Sequence, residues 1–438
     1  MRLLVTACVL ALALPAAAQQ DWPQFRGPGG QGHASASDVP LQWSESQNVR
    51  WKAPVPGRGW SSPVVSGGRI WLTTAVGADD SGPRGLGSSG ARGLGGSGAR
   101  GEVSLRALAF DLESGRELVN VEVFRVKYPR AINEKNSRAS ATPVLEGDRV
   151  YVHFGADGTA ALTTTGEIVW KAQFPYESQH GGGGSPVLHG DLLIFNCDGS
   201  NDAFVVAVDK ATGKVRWKTD RRQPADQAYT TPLAIRVGEK DQIVSVGAYR
   251  AAAYDPQSGK EIWRVSYADG FSNVPRPVYG HGLIYIATGF QQPTLIAVRA
   301  DGTGDVTSSH VAWTLRRGAP LTPSPLLVGD ELYIVSDSGI ASCLDAKSGT
   351  VLWQKRLDGT FSASPTLAAG RIYFLSEQGT ATVIAPGRTF ELLASNSVDG
   401  TTLASMAVSD GNMIIRSDRQ LYCIAGPARP RESRRDYQ

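Results

Sequence analysis

Apolar residues in this chain come in short runs separated by turn-forming residues. In TPSPLLVGDELYIVSDSGIASCLDAKSGTVLWQKRL, which starts at Thr322, PLLV, LYIVS, IASCLD and TVLWQKRL are four such runs, parted by GDE, DSG and AKSG. Runs this short, rich in β-branched and aromatic residues and bounded by Gly, Asp and Ser, predict antiparallel strands joined by tight turns. Four strands in about 40 residues leave no room for a crossover helix.

The unit repeats. AVDKATGKVRW (207 to 217) returns as AAYDPQSGKEIW ending at Trp263 and SCLDAKSGTVLW ending at Trp353; ALTTTGEIVW ends at Trp170, and AFDLESGRELV has Val119 where the Trp would stand. Asp209 can accept backbone N–H bonds in the turn, and Gly213 can take the positive φ that closes it. Trp217 then projects from the outer strand. A single sheet has an uncovered face, so this indole is expected to dock on the next unit, with a small residue such as Ala207 leaving it space. Trp51, Trp170, Trp217, Trp263, Trp313 and Trp353 are the docking residues by this reading. From Trp170 to Trp217 is 47 residues, from Trp217 to Trp263 is 46, and from Trp313 to Trp353 is 40, the length of a four-stranded propeller blade.

Inner strands begin near SSPVV (61), SATPV (140), GGSPV (183), TTPLA (230), PRPVY (275), PSPLL (323), SASPT (362) and LASMA (403), which makes eight copies. The eighth stops before an outer strand, while NVRWKAPV around Trp51 supplies a spare one at the other end. The prediction is an all-β, eight-bladed propeller of four-stranded antiparallel blades. The N-terminal strand completes the C-terminal blade, so that no sheet edge stays open.

Strand order puts first-to-second and third-to-fourth connections on one face, where they are short and regular. The other face collects FRVKYPRAINEKNSR, QFPYESQHGGGG, NCDGSNDA, TDRRQPADQAY and GFQQP. Function tends to sit on variable loops held by a rigid scaffold. Asn136, Arg138, His180, Asp198, Asp202, Arg276 and His281 are therefore the candidate binding residues, expected near the channel mouth on the loop-rich face. No pair has metal-ligand spacing and no Ser, His and Asp set stands out, so no catalytic or metal residue is assigned.

Charge narrows the partners. Lys and Arg number 44 against 41 Asp and Glu, a net charge of +3, which does not indicate a nucleic-acid surface. MRLLVTACVLALALPAAA, residues 1 to 18, has the pattern of a secretory signal peptide and is too short to span a membrane. The protein is thus expected to be exported, periplasmic or extracellular, without a lipid on Cys8 and without a transmembrane segment. After Cys8 come Cys197, Cys343 and Cys423; the last two occupy equivalent positions two blades apart, too distant for a disulfide, and are expected as buried thiols. The domain reading is an N-terminal extension over 19 to 47, the propeller over 48 to 426 with a Gly/Ser/Arg-rich flexible insertion at 79 to 102, and a basic disordered tail from 427 to 438.

The A-x-D-x-x-[ST]-G-x-x-x-W word resembles the docking repeat of pyrroloquinoline quinone (PQQ) enzymes and of BamB-like propellers. WPQFRGPGGQG (22 to 32), GRGWSSPVV (57 to 65), NCDGSNDAF (196 to 204) and PRPVYGHG (275 to 282) look like exported bacterial proteins of the PQQ-like or BamB-like kind. The complete ring, the loop asymmetry and the missing catalytic set lead to the expectation of a monomeric, non-catalytic scaffold of the cell envelope, BamB-like, that binds a protein partner or an extracellular polymer and needs no cofactor. The alternative the resemblance implies is a quinoprotein dehydrogenase using PQQ and calcium, with Asp198 or Asp202 as base and Arg276 holding the quinone. The vicinal Cys-Cys pair and C-x-x-C-H pattern of those enzymes do not occur here. A third reading is a glycan-binding module with Trp60 stacked on a sugar.

Overall fold

The computed structural model describes residues 21–36, 38–77, 101–200, 202–221, 226–268, 270–290 and 292–426. The expected signal peptide with Cys8, nearly all of the 79–102 insertion and the basic tail lie outside the described residues.

Eight antiparallel sheets form the ring. Blade 3 shows the plan, with strands Val187–His189, Leu192–Asp198, Ala203–Asp209 and Val215–Asp220 running from the channel outward. The two middle strands are apolar on both sides because neighbouring blades cover both, whereas the outer strand alternates between covered and solvated positions. Val49–Pro54 pairs antiparallel with Gln420–Ile424, setting Trp51 opposite Cys423, and so completes the eighth blade. The expected closure of the two chain ends is the one observed.

Each docking indole sits opposite a small residue of its own blade: Ala207 faces Trp217, Ala161 faces Trp170, Ala253 faces Trp263, Ala297 faces Trp313, and Cys343 faces Trp353. What receives the ring is the glycine turn of the next blade. Trp217 Nε1 donates to Pro256 O at 2.8 Å, Trp170 to Lys210 O at 3.0 Å, Trp313 to Ala346 O at 3.0 Å, Trp353 to Gly387 O at 3.1 Å, and Trp51 to Leu112 O at 2.9 Å. Ala207 is therefore a partner on the same sheet, and Gly259 is the docking surface for Trp217. The turn itself is built as its sequence suggests: Asp255 Oδ1 accepts from Ser258 N at 2.8 Å and Ser258 Oγ at 2.7 Å, while Gly259 holds φ at +68°. Trp263 differs because blade 5 has a longer third turn. Residues Gly304–Asp305 add a short parallel strand beside Trp263, which bonds instead to Gln242 Oε1 at 2.9 Å and is fully buried.

A second set of contacts runs round the channel. The hydroxyl of Thr142 accepts the backbone N–H of Ser62, and the chain of bonds continues from Thr142 N to Ser185 and from Ser185 N to Thr231. It resumes from Arg276 N to Ser324, Ser324 N to Ser364, Ser364 N to Ser405, and returns from Ser405 N to Ser62, at 2.9 to 3.1 Å throughout. Seven of the eight equivalent positions carry Ser or Thr, six of them followed by Pro, which holds the preceding residue extended. The eighth is Arg276.

Residues Asp21 to Ala36 cross the channel end on the regular-turn face. Trp22 pairs with Val65 of blade 1, and Pro23 O accepts from Leu145 N of blade 2. Gln31 Oε1 then accepts from Tyr279 N of blade 5, His33 bonds Leu327 O of blade 6, and Ala34 N donates to Leu367 O of blade 7. Gly27, Gly29, Gly30 and Gly32 all have positive φ, and a Cβ on Gly30 would lie 2.0 Å from Arg276 Nη1. Only a chain without side chains could lie this close to the inner strands.

Two glycines separate the cost of positive φ from the cost of lost indole contact. Gly238 (φ +59°) has nothing within 4 Å of an added Cβ, whereas a Cβ on Gly259 would meet Trp217 at 2.5 Å. Denaturant unfolding of Gly238→Ala should show a loss of about 1 kcal/mol, the strain of a left-handed L-residue alone. Gly259→Ala should lose about 3 kcal/mol or more, since the ring must also move. Equal losses would mean that the indole-to-glycine contact contributes nothing to holding blades together.

Candidate functional site

The seven candidate residues do not converge. Asn136 and His180 are together: Asn136 Nδ2 donates to His180 O at 2.8 Å and Gly182 O at 3.2 Å, tying the blade 1–2 loop to the blade 2–3 loop. The imidazole of His180 lies 6.0 Å from the Tyr229 ring. Arg138 is buried and donates to Arg130 O within its own loop. Asp202 is exposed, and its carbonyl accepts from Gly199 N at 3.1 Å.

His281 is a correction. It occupies the hairpin turn between Val278–Gly280 and Leu283–Thr288, a first-to-second-strand turn, and so lies on the regular-turn face. There it touches the matching turn of blade 6, with Nε2 2.9 Å from Gly329 O and 3.3 Å from Asp330. The cause is simple: YGHG occupies the same place in its blade as EGDR and VGDE do in theirs. Arg276 is a second correction of placement. It is 2% exposed, with Nε bonded to Pro232 O at 3.1 Å and Nη1 to Phe25 O at 2.8 Å, so the guanidinium is held inside the channel and not at its mouth.

Asp198 ends the second strand of blade 3 in a sealed polar cluster. Its side chain is 1% exposed and 3.3 Å from Arg221 Nε, yet neither carboxylate oxygen receives an aligned hydrogen bond. The two charges touch without the geometry that makes such pairs strong. Burial raises the Asp198 pKa to about 6, with Arg221 and Arg250 opposing the shift. Around the pair, Arg221 donates to Ser245 Oγ, Ser245 Oγ to Asn196 Oδ1 at 2.6 Å, and Asn196 Nδ2 to Thr230 O at 3.0 Å. Asn273 extends the network to Gly247 O at 2.7 Å and receives Gly289 N at 2.7 Å. These bonds join loops of blades 3, 4 and 5 into one bracing network.

Two features of the loop-rich face, a bridge from Lys135 and an aromatic group, have no signature in the sequence. Lys135, in the loop between blades 1 and 2, reaches the buried Glu377 of blade 7 at 2.6 Å and so bridges that channel mouth. Trp60 Nε1 donates to Lys135 O at 3.0 Å, which makes Trp60 a brace of the same loop. Further round the ring, Tyr249, Phe271 and Phe290 form an aromatic group, with centroids 6.1 and 5.9 Å apart and Phe290 58% exposed. The dipeptides GF at 270 and 289 mark two of these rings, but no period in the sequence brings them together.

Solved structures with this architecture include BamB from Moraxella catarrhalis (TM-score 0.53, 12% identity, 75% of this chain and 90% of that one). A europium-containing methanol dehydrogenase aligns with TM-score 0.61 at 10% identity, over 91% of this chain and 90% of that one. At such identities the likeness carries the fold alone. A curated relative, the quinohemoprotein alcohol dehydrogenase ADH-IIG of Pseudomonas putida, is 26% identical over 151 residues, 31% of this chain and 20% of that enzyme, so the match spans a fifth of the relative's length. No helix among the described residues is long and apolar enough to cross a membrane. The family model described as outer membrane protein assembly factor BamB matches residues 106–308 and 294–403, well over half of the chain, and the protein belongs to that PQQ-like, BamB-like propeller family.

Proposed function

We propose that the protein is an exported, non-catalytic propeller of the cell envelope that binds a protein partner through its loop-rich face. The observation that carries this reading is the aromatic group of Tyr249, Phe271 and Phe290, which comes from three separate loops of blades 4 and 5 and leaves Phe290 58% exposed. Large aromatic side chains left open on one face are the usual anchors of protein interfaces. Tyr128, on the same face, is 92% exposed. The family description, which names an assembly factor, and the first eighteen residues, which read as an export signal, support the setting.

The quinoprotein alternative has one observation in its favour: a buried carboxylate, Asp198, with a pKa raised to about 6 by burial, close to what a general base requires. The residues present do not fit a quinone and calcium site. Arg276 is committed to two backbone carbonyls, and the described residues include no group of three His, Cys, Asp or Glu placed to hold a metal ion. Cys197, Cys343 and Cys423 are free and buried in three different blades. Asp198 is accordingly read as a bracing residue paired with Arg221.

Three outcomes are expected. A photoreactive phenylalanine analogue at position 290 should crosslink an envelope protein, and one at position 281, on the opposite face, should not; equal adducts from both, or capture of polysaccharide alone, would overturn the protein-partner reading. Absorbance of the purified protein titrated with PQQ and Ca²⁺ should stay flat, and a saturable change would revive the dehydrogenase. Third, native Asp198 binds a proton at higher pH than the unfolded chain does, so this residue adds stability as pH falls from about 6 towards about 4. His153, buried with its pKa lowered to about 4, acts oppositely and removes stability between about 6.5 and 4. Asp198→Asn should therefore become more acid-sensitive than the wild type by up to about 3 kcal/mol between pH 7 and pH 4, measured by urea midpoints. An unchanged pH profile would mean that Asp198 titrates normally.

A further inference from the structure

Blade 1 carries Val119 at the position where four other blades carry a docking indole whose N–H reaches the next turn. In those four, the acceptor is the carbonyl of Leu112, Lys210, Pro256 or Ala346. The counterpart in blade 2 is Thr164: its N–H donates to Asp148 O at 3.0 Å, as Lys210 N does to Asp191 O at 2.9 Å and Ala346 N to Asp330 O at 2.9 Å. Val119 meets the glycine of this turn, with Cγ1 2.7 Å from where a Cβ on Gly166 would lie, but it has no N–H to give. The Thr164 carbonyl accepts instead from Nη1 of Arg69, in the second strand of blade 1, Arg69–Gly77.

The exchange leaves room. A guanidinium on a thin stem satisfies the carbonyl without filling an indole's volume, and a cavity of about 260 Å³ opens between blades 1 and 2 on the regular-turn face, lined by Ser66, Arg69, Leu145, Thr164 and the buried Trp71. Nε and Nη2 of Arg69 share one edge of the guanidinium, and neither bonds to anything among the described residues; no carboxylate there pairs with this arginine. That edge is the fork which a carboxylate meets with two parallel hydrogen bonds. The Thr164 hydroxyl, equally without a partner among the described residues, is a further donor.

We infer that this cavity binds a small organic monocarboxylate, held by Nε and Nη2 of Arg69 with the Thr164 hydroxyl, its apolar part lying towards Leu145. The volume belongs to the small end of ligand pockets, which suits a compact molecule. Charge selects a monoanion. Asp21 accepts from Ser66 Oγ at 2.7 Å and from Gly67 N at 3.4 Å beside the cavity, so a single guanidinium stands against a carboxylate already present, and a phosphate dianion would add a second negative charge with no cation to meet it. The site lies on the face opposite the aromatic group of Phe290 and stands or falls independently of what that group binds.

The test uses the purified protein and fluorine NMR of 4-fluorobenzoate, with 4-fluorobenzamide as its uncharged counterpart. The acid should broaden saturably and the amide should not; unlabelled butyrate should displace the acid, and phosphate at the same concentration should not. Arg69→Met, which keeps the stem and removes the donors, should weaken binding of the acid at least about tenfold. Crystals of the wild type soaked in 4-bromobenzoate should show an anomalous bromine peak in the cavity with the carboxylate on the Arg69 fork. Absence of binding, equal binding of acid and amide, displacement by phosphate, unchanged affinity in Arg69→Met, or bromine found only elsewhere would each overturn the inference. Should the variant fail to fold, the soaked crystal of the wild type decides alone.

Discussion

A four-stranded sheet cannot cover its own faces, and everything in this molecule follows from how each blade borrows cover from the next. At four junctions the borrowing is done by one contact, an indole laid against a glycine turn. The glycine is doubly constrained there, by a positive φ that closes the turn and by a ring 2.5 to 2.6 Å from where its Cβ would be, at Gly115, Gly213, Gly259 and Gly349. The aspartate four residues earlier locks the turn by accepting its backbone and hydroxyl donors, as Asp209 does from Thr212. One short word thus fixes turn, ring and neighbour together, which is why copies as degraded as Val119 against Gly166 still stack.

The same logic explains what was legible in the sequence. The number of blades, their strand order and the pairing of Val49–Pro54 with the last blade could be read because they depend on a repeated word and on its missing final copy. The mouth of the channel was less legible. WPQFRGPGGQG has no period of its own, so nothing in it announces that it crosses from blade 1 to blade 5. Likewise the Lys135 to Glu377 bridge joins residues 242 positions apart (377 − 135) on irregular loops. His281 is polar like the loop-rich candidates, yet its Gly-His-Gly stands in register with the ordinary first turns, and position in the blade decides its face.

Arg276 shows what the repeat tolerates and at what cost. In seven blades the residue at this height is Ser or Thr and makes one bond to its neighbour. In blade 5 the longer side chain cannot take a hydroxyl's place in the ring. It reaches instead to Pro232 O in blade 4 and to Phe25 O in the N-terminal segment. Without that segment the guanidinium would lose an acceptor and keep its charge, a change usually worth more than a neutral hydrogen bond. The arginine and the glycine-rich segment therefore depend on each other, and a change at either should be felt at both.

The channel is closed from both sides by the protein itself. On the regular-turn side the channel is crossed by the chain's own residues Trp22 to Ala36, and on the loop-rich side it is bridged by Lys135 and Glu377. Asp198 is shut inside a network that joins three blades. These polar residues hold loops and segments in place. What the loop-rich face presents to solvent instead is aromatic surface around Phe290, carried on loops whose bases are clamped by Asn273 and Tyr267. A rigid base under an exposed aromatic group keeps low the ordering cost of any association made there.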